Sequence, residues 1–447
     1  MSNHATFDEA AVETGAIKTI PPAEARRVAA GALVGNVLEW YDYFLFNTAA
    51  ALVFNYQFFV TEDAALSAMA SFLTLAVGFV VRPIGGLFFG WLGDRAGRKT
   101  VLMITVVGIG VATGIIGILP NYATIGLWAP LALVVLRMLQ GFFIGGEWSG
   151  AMTLAVEHAP LNMRSKMAAL PQLGSPIGTL LSSGAFYFLA LGLSKDSFDS
   201  WGWRLPFLAA IPLLLLALWL RAKLGESPVF KELQSQKEGK PTPLKVLFVG
   251  YWRQLLVGVG VGMLGAAGFY IATSFIMNYG TRVLGMDKDL LLLGTMIAAA
   301  VEIPILLHAG SLGQKFGPSK VLIGGSIFSI VTTIPVFLMI TSTQPVLVVL
   351  GIVLAIAALS YPFGATGAAL TNLFPASNRI SGVANSYNGT NIIAGFVPFI
   401  ATWLVTITND SWWPAAILLM LFAATTAVCG ALAPRLSQQI GDGDYKH

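Results

Sequence analysis

Charge is scarce in this chain. Asp, Glu, Lys and Arg make up 11% of its 447 residues, against roughly 25% in ordinary soluble domains. Hydrophobic residues are 56% and the mean hydropathy is +0.74. So few charges cannot cover the apolar surface that a soluble core of this length would leave outside. A soluble fold is excluded, and apolar surface must face lipid. Cysteine is scarcer still: Cys429 is the single one, and it lies in an apolar run, so an internal disulfide is excluded. Period-two alternation of the kind barrel strands show is also missing. Runs such as 211–220 and 346–359 are continuously apolar instead. Inside hydrocarbon every backbone polar group needs an internal partner, and with barrels set aside only helices remain. Metal-ligand spacing, a phosphate-cradling loop and a nucleophile elbow are absent as well. A membrane-embedded enzyme would need such a set, so no enzyme, no metal and no cofactor is expected. Residues 1–27 carry Asp8, Glu9 and Glu13 without an apolar core, and read as a polar cytoplasmic tail rather than a secretory signal.

What is present is a series of long apolar stretches, each near the roughly 20 residues that a spanning helix needs. Candidate spans fall near 28–55, 66–92, 100–120, 124–156, 165–193 and 202–222, then near 251–280, 289–310, 320–341, 344–371, 379–407 and 412–434. The expected fold is an all-α polytopic membrane protein of twelve transmembrane helices in two six-helix halves, 28–222 and 251–434. A polar central loop (223–250) with Lys223, Lys231, Lys237, Lys240 and Lys245 joins them, and 435–447 forms a short tail. The net charge of +4 fits basic cytoplasmic loops better than a nucleic-acid partner. With the N-terminus inside, Arg95, Arg98, Lys99, Arg164, Lys166, Lys315, Lys320, Arg379 and Arg435 join the central lysines at the cytoplasmic face. The outer face keeps Lys195, Arg204, Arg282 and Lys288. Both termini are therefore placed in the cytoplasm.

The halves echo one another. Gly90-Trp-Leu-Gly93-Asp94-Arg95-Ala-Gly97 is matched by Gly310-Ser-Leu-Gly313-Gln314-Lys315-Phe-Gly317, and Pro160-Leu-Asn-Met-Arg164 by Pro375-Ala-Ser-Asn-Arg379. Parallel repeats of this kind describe transporters whose halves rock about a midplane site. The first stretch, continued by Arg98-Lys99, resembles the signature loop of the major facilitator superfamily, and Arg137-Met-Leu-Gln140-Gly141 its fourth-helix motif. Three further stretches resemble the metabolite:proton symporter family: Gly35-Asn-Val-Leu-Glu39-Trp40-Tyr41-Asp42-Tyr43, Val81-Arg82-Pro83-Ile-Gly85-Gly86, and Gln140-Gly141-Phe-Phe-Ile-Gly145-Gly146-Glu147. That family includes carriers similar to those for shikimate, 2-oxoglutarate, citrate and proline/betaine. The resemblance covers nearly the whole chain and implies a monomeric secondary active transporter in a bacterial plasma membrane. Its substrate would be a small organic acid, with the proton as coupling ion. A zwitterion carrier, a uniporter and a non-transporting receptor or scaffold are the alternatives. Gln314 departs from the pattern by standing where Asp94 does, so a carboxylate gate of the first half would be absent or neutral in the second.

Ionisable side chains at membrane depth are costly and are functional candidates by default. Glu39 and Asp42 lie three apart on one face of the first span, and Arg137 lies mid-span in the fourth. Burial disfavours the charged form of a carboxylate and a nearby cation favours it, so such a group can exchange a proton. In the resembling fold the first and fourth helices are neighbours, so Asp42 or Glu39 is the candidate coupling acid and Arg137 its partner. A permanent structural ion pair is the alternative. Glu302 is a secondary proton-handling candidate, while His308 reads as interfacial. Arg82 and Arg137 are candidates for holding an anionic substrate, joined by Gln140 and Glu147 near the same helix face. Asn47, Tyr270, Tyr361, Tyr387, Asn388 and Asn391 could hydrogen-bond a substrate or merely bind helices together. For gating, the loop motif supplies Gly90, Asp94, Arg95, Gly97 and Arg98, with Glu157 and Arg164 as further inner-face members. The resemblance places Asp94 against the N-terminus of the eleventh helix, where negative charge is favoured.

Overall fold

The computed structural model describes residues 21–60, 64–223, 225 and 244–437. Asp8, Glu9, Glu13, Lys231, Lys237 and Lys240 lie outside the described residues, among which no strand occurs. Twelve long helical segments follow in order: α1 (22–57), α2 (Ala64–Ala96), α3 (Arg98–Ile118), α4 (Trp128–Glu157), α5 (164–192) and α6 (Lys195–Ala222) form the first set. The second is α7 (Trp252–Arg282), α8 (Lys288–Phe316), α9 (Pro318–Thr341), α10 (Pro345–Leu373), α11 (Arg379–Ile407) and α12 (Trp413–Leu436). Ten of them are long and apolar enough to cross a membrane by length and composition alone. Of the other two, α1 carries Asn36, Glu39 and Asp42 on buried positions, and α5 is interrupted at Leu173.

Some boundaries differ from those the apolar runs suggest. Helix α1 starts at Pro22, six residues before its apolar run, because a proline at the first helical position has no N–H to lose. The end of the central connection is not loop but a short helix, Leu244–Gly250. In α7 two π-helical turns, Leu264–Gly268 and Ile271–Phe275, widen the backbone spiral where the sequence shows only small and apolar residues.

The echo between the halves is geometric. Helix α2 packs on α4 and α11, and its counterpart α8 packs on α10 and α5. Gly97 (φ 103°) and Gly317 (φ 90°) make the same tight junction before α3 and α9, a conformation that costs a side-chain-bearing residue dearly. The halves meet along two seams, α2 with α11 and α5 with α8. Backbones approach closely there and along α2–α4. A Cβ on Gly85 would fall 1.8 Å from the Phe142 carbonyl oxygen, one on Gly145 2.2 Å from that of Arg82, and one on Gly90 2.9 Å from the Ser381 Cα. Close packing of this kind replaces the hydrophobic drive that lipid cannot supply between helices.

Candidate functional site

A narrow cavity lies between the halves, lined by Glu39, Arg82, Trp148, Tyr387, Asn388 and Asn391 among others. Its gaps are narrower than a water molecule. The glycines around Arg82 explain its place: Gly85 and Gly145 let α2 lie against α4, and Gly86 faces the Asn388 amide of α11. Arg82 is 6% exposed, and its guanidinium lies 4.4 Å over the Phe79 ring. No ion pair holds it among the described residues. Glu39, 5% exposed, faces the same space, and its Oε2 is buried without a hydrogen-bond partner. Asn388 donates to the Gly145 carbonyl at 2.7 Å, which ties α11 to α4 at this level.

Aromatic contacts flank the cavity. One turn beyond Glu39 and Arg82, Tyr43 and Phe79 pack edge-on against Tyr270 of α7 at 5.6 and 5.8 Å between centroids. Trp40 and Phe44 meet Phe269 beside them. Toward the opposite end Trp148 stacks on Tyr387 at 3.8 Å and 11°. The Trp148 indole N–H donates to Gln172, whose amide in turn donates to the Phe363 carbonyl. A relay of hydrogen bonds thus runs from α4 through α5 to α10.

Asp42 and Arg137 do not face this cavity. They form a closed cluster inside the first half, 0% and 1% exposed. Arg137 Nη1 donates to Asp42 Oδ2 at 3.1 Å, Thr113 donates to Oδ1 at 2.6 Å, and the Gln140 amide donates to the same Oδ1. The Arg137 guanidinium also covers the Phe46 ring at 4.4 Å. Burying two charges costs several kcal/mol per ion unless their remaining donors and acceptors are met, and here most are. Thr113 gave no signal in the sequence, since a threonine in an apolar helix ordinarily bonds its own backbone, as this one also does.

Several of the expected site residues lie away from the cavity in this packing. Arg137 and Gln140 are taken up by Asp42 and sit away from the cavity lining. Glu147 pairs with Arg221 of α6 and accepts a hydrogen bond from Thr105, because its turn of α4 faces α3 and α6. Arg221 also donates to the Leu102 carbonyl at 2.5 Å. Sitting where an apolar run meets a polar connection, it reads in sequence as a surface charge, yet it is 1% exposed. Tyr361 faces outward with His308, 3.3 Å from its ring, on a separate groove between α8, α9 and α10. Tyr270 belongs to the aromatic layer and Asn47 lies outside the cavity lining. Glu302 is 2% exposed and faces Ser175 of α5 at the α5–α8 seam, again off the cavity. Trp148 and Ser149 do line it, although the motif drew attention only to the glycines and Glu147 beside them.

At the end of the bundle that carries the α2–α3 junction, Asp94 Oδ2 accepts from the Ser381 hydroxyl at 2.5 Å and from its backbone N–H at 3.3 Å, in the first turn of α11. Gln314 makes the matching contact in the other seam: its Oε1 accepts from the Ser165 N–H at 3.0 Å in the first turn of α5. The second-half contact is therefore present and neutral. Glu157 binds Arg98 at 3.2 Å and Arg379 at 2.8 Å, joining α4 to α3 and α11. Arg98 donates to the Ala376 carbonyl as well, at 2.8 Å. Arg164 is buried at the start of α5. Arg95 is a correction: it is exposed, over the Trp91 ring, and takes no part in this network, since its side of α2 faces outward. Arg379, read from sequence as a topology-setting charge, is a member instead.

Residues 28–247 match the family model described as sugar (and other) transporter. The chain is 38% identical over 419 residues to the shikimate transporter of Escherichia coli (strain K12), covering 92% of this chain and 95% of that one. It is 32% identical to the proline/betaine transporter of Salmonella typhimurium, over 92% of this chain and 84% of the relative. Among solved structures, a proton:xylose symporter of the major facilitator superfamily bound to 6-bromo-6-deoxy-D-glucose is similar in fold. Its TM-score is 0.78, with 17% identity over 94% of this chain and 97% of that one.

Proposed function

The chain belongs to the metabolite:proton symporter family of the major facilitator superfamily, an integral membrane transporter and not an enzyme, and from that membership we propose that it carries a small organic acid together with a proton by alternating access. The observation that carries this reading is the division of charges between two places. Arg82 faces the cavity with its guanidinium unpaired, while Asp42 and Arg137 are sequestered together inside one half. An arginine fork in a dry site is suited to a carboxylate. An acid entering on Arg82 brings one negative charge, and a proton taken by Asp42 brings one positive charge. The moving assembly then keeps its charge balance, and no extra ion has to be buried when the cavity closes. Protonation of Asp42 also releases Arg137, which loosens α1 from α4 at the same moment. Glu302, buried at the α5–α8 seam, is a second site able to hold a proton.

The positive-inside excess places the α2–α3 end in the cytoplasm of a bacterial cell, with both termini inside. In that orientation Asp94–Ser381, Gln314–Ser165 and Glu157 with Arg98 and Arg379 form the inner gate, and the Tyr43–Phe79–Tyr270 layer forms the outer one. Both being shut, the conformation is occluded. The working unit is a monomer, with lipid as its only further partner. A zwitterion carrier for proline or betaine is the second reading, favoured by the presence of Glu39 and Arg82 in one cavity.

The test is uptake of labelled shikimate, 2-oxoglutarate, citrate, proline and betaine into proteoliposomes, with and without an inward proton gradient. Accumulation of one acid that collapses without the gradient is expected. Asp42→Asn should abolish accumulation and leave exchange intact. Gradient-independent uptake would mean a uniporter, and an unaffected variant would make Asp42–Arg137 a structural pair.

A further inference from the structure

The cavity holds charges of both signs in a fixed number, and that number selects its ligand. Five other arginines are buried among the described residues, and none lines the cavity: Asp42 holds Arg137, Glu147 holds Arg221, Glu157 holds Arg98 and Arg379, and Arg164 sits at the start of α5. Among the described lining residues this leaves Arg82 as the cation. Opposite in sign, Glu39 lines the same space without a direct ion pair, and its Oε2 is buried without a donor. We propose that the site selects a hydroxylated monocarboxylic acid: Arg82 takes the carboxylate, and Glu39 acts as a specificity residue that accepts hydrogen bonds from the hydroxyls and repels a second carboxylate. This rests on the organic-acid reading above.

A carboxylate oxygen can only accept, so Glu39 needs a donor from its ligand. Leaving a buried acceptor unmet costs more than a typical hydrogen bond gains. Hydroxyl groups supply O–H donors at that point. A second ionised carboxylate supplies no donor, and sets a second anion beside Glu39 in a water-poor site where like charges repel strongly. The quaternary ammonium of a betaine has no N–H to give. The other walls agree with a ligand bearing several hydroxyls, since Tyr387 and Asn391 offer groups that both donate and accept, and Ser149, whose O–H is donated to the Gly146 carbonyl, offers an acceptor. Asn388, whose amide nitrogen is committed to the Gly145 carbonyl, presents its oxygen as a further acceptor.

Binding to the purified protein in lipid nanodiscs, measured calorimetrically at one pH and without a gradient, tests this apart from coupling. Probes are shikimate (one carboxylate, three hydroxyls), 2-oxoglutarate, citrate, proline and glycine betaine. Shikimate is expected to bind on the order of 100-fold more tightly than either polycarboxylate, from one like-charge contact at partial burial. Glu39→Gln should shrink that ratio to about tenfold or less, by removing the repulsion. Glu39→Asp keeps the charge and should keep the exclusion. Arg82→Gln should remove binding of every acid. A polycarboxylate, proline or betaine binding as tightly as shikimate would overturn the proposal, and so would a ratio unmoved by Glu39→Gln. Uptake that ignores the proton gradient while the binding ratio holds refutes symport alone. No binding of any acid refutes both readings.

Discussion

Replacing Arg221 with methionine tests how the first half is held together. The guanidinium spans two contacts to Glu147, one to the Leu102 carbonyl at 2.5 Å and a long one to the Gly31 carbonyl at 3.5 Å. Glu147 is fully buried, and without Arg221 it keeps only the Thr105 hydroxyl. Methionine fills much of the same volume, so a cavity contributes little. What remains is an uncompensated buried charge. Two unit charges about 4 Å apart at an effective dielectric near 20 attract by about 4 kcal/mol, in line with the ~3–5 kcal/mol lost when one partner of a buried pair is removed. Arg221→Met and Glu147→Leu should each destabilise by about that amount. The double variant removes both charges and should fall within about 1 kcal/mol of the parent or exceed it. Thermal unfolding in lipid nanodiscs, followed by tryptophan fluorescence at one heating rate, completes the double-mutant cycle. Single variants as stable as the double would refute the argument, because the pair would then carry no coupling.

Asp94→Asn weakens charge-assisted bonds worth about 1.5–3 kcal/mol, so the state open at the α2–α3 end should gain population. A cysteine placed at Ser149, with Cys429 replaced by serine, should then be alkylated roughly tenfold faster from that side, and an unchanged rate removes Asp94 from the gate. Glu157→Gln leaves Arg98 and Arg379 buried without their shared counter-charge. It should lower the unfolding midpoint more than Asp94→Asn does, and equal midpoints would contradict the central place given to Glu157. Gly85→Val forces a side chain onto the Phe142 carbonyl and should abolish folded yield, whereas Gly324→Ala meets nothing within 4 Å and should be tolerated. Similar monodisperse yields for both, judged by size-exclusion profile, would show that the α2–α4 approach is not tight.

Sequence alone determined the helical class, the twelve segments, the two echoing halves and the motifs at their matching junctions. Each follows from a local rule. A bilayer demands an apolar stretch of fixed length and internal hydrogen bonds, and these leave a one-dimensional trace in hydropathy and in where Lys and Arg gather. Gly97 and Gly317 are legible for the same reason, since a left-handed junction is a property of one residue. Pairing leaves no such local trace. Asp42 and Arg137, 95 residues apart, are brought together only through the resemblance, and Glu147–Arg221 and Glu157–Arg379, 74 and 222 apart, are not anticipated. Glu39 and Asp42 share a helix face in sequence, yet one ends in the cavity between the halves and the other in the interior of the first. Glu147 and Trp148 are adjacent, and only Trp148 lines that cavity. Which arginine stays unpaired beside the cavity is settled by how α1, α2, α4, α6 and α11 pack, because a buried charge takes whichever opposite charge the packing brings within reach. Only the tertiary structure could leave Arg82 as that residue.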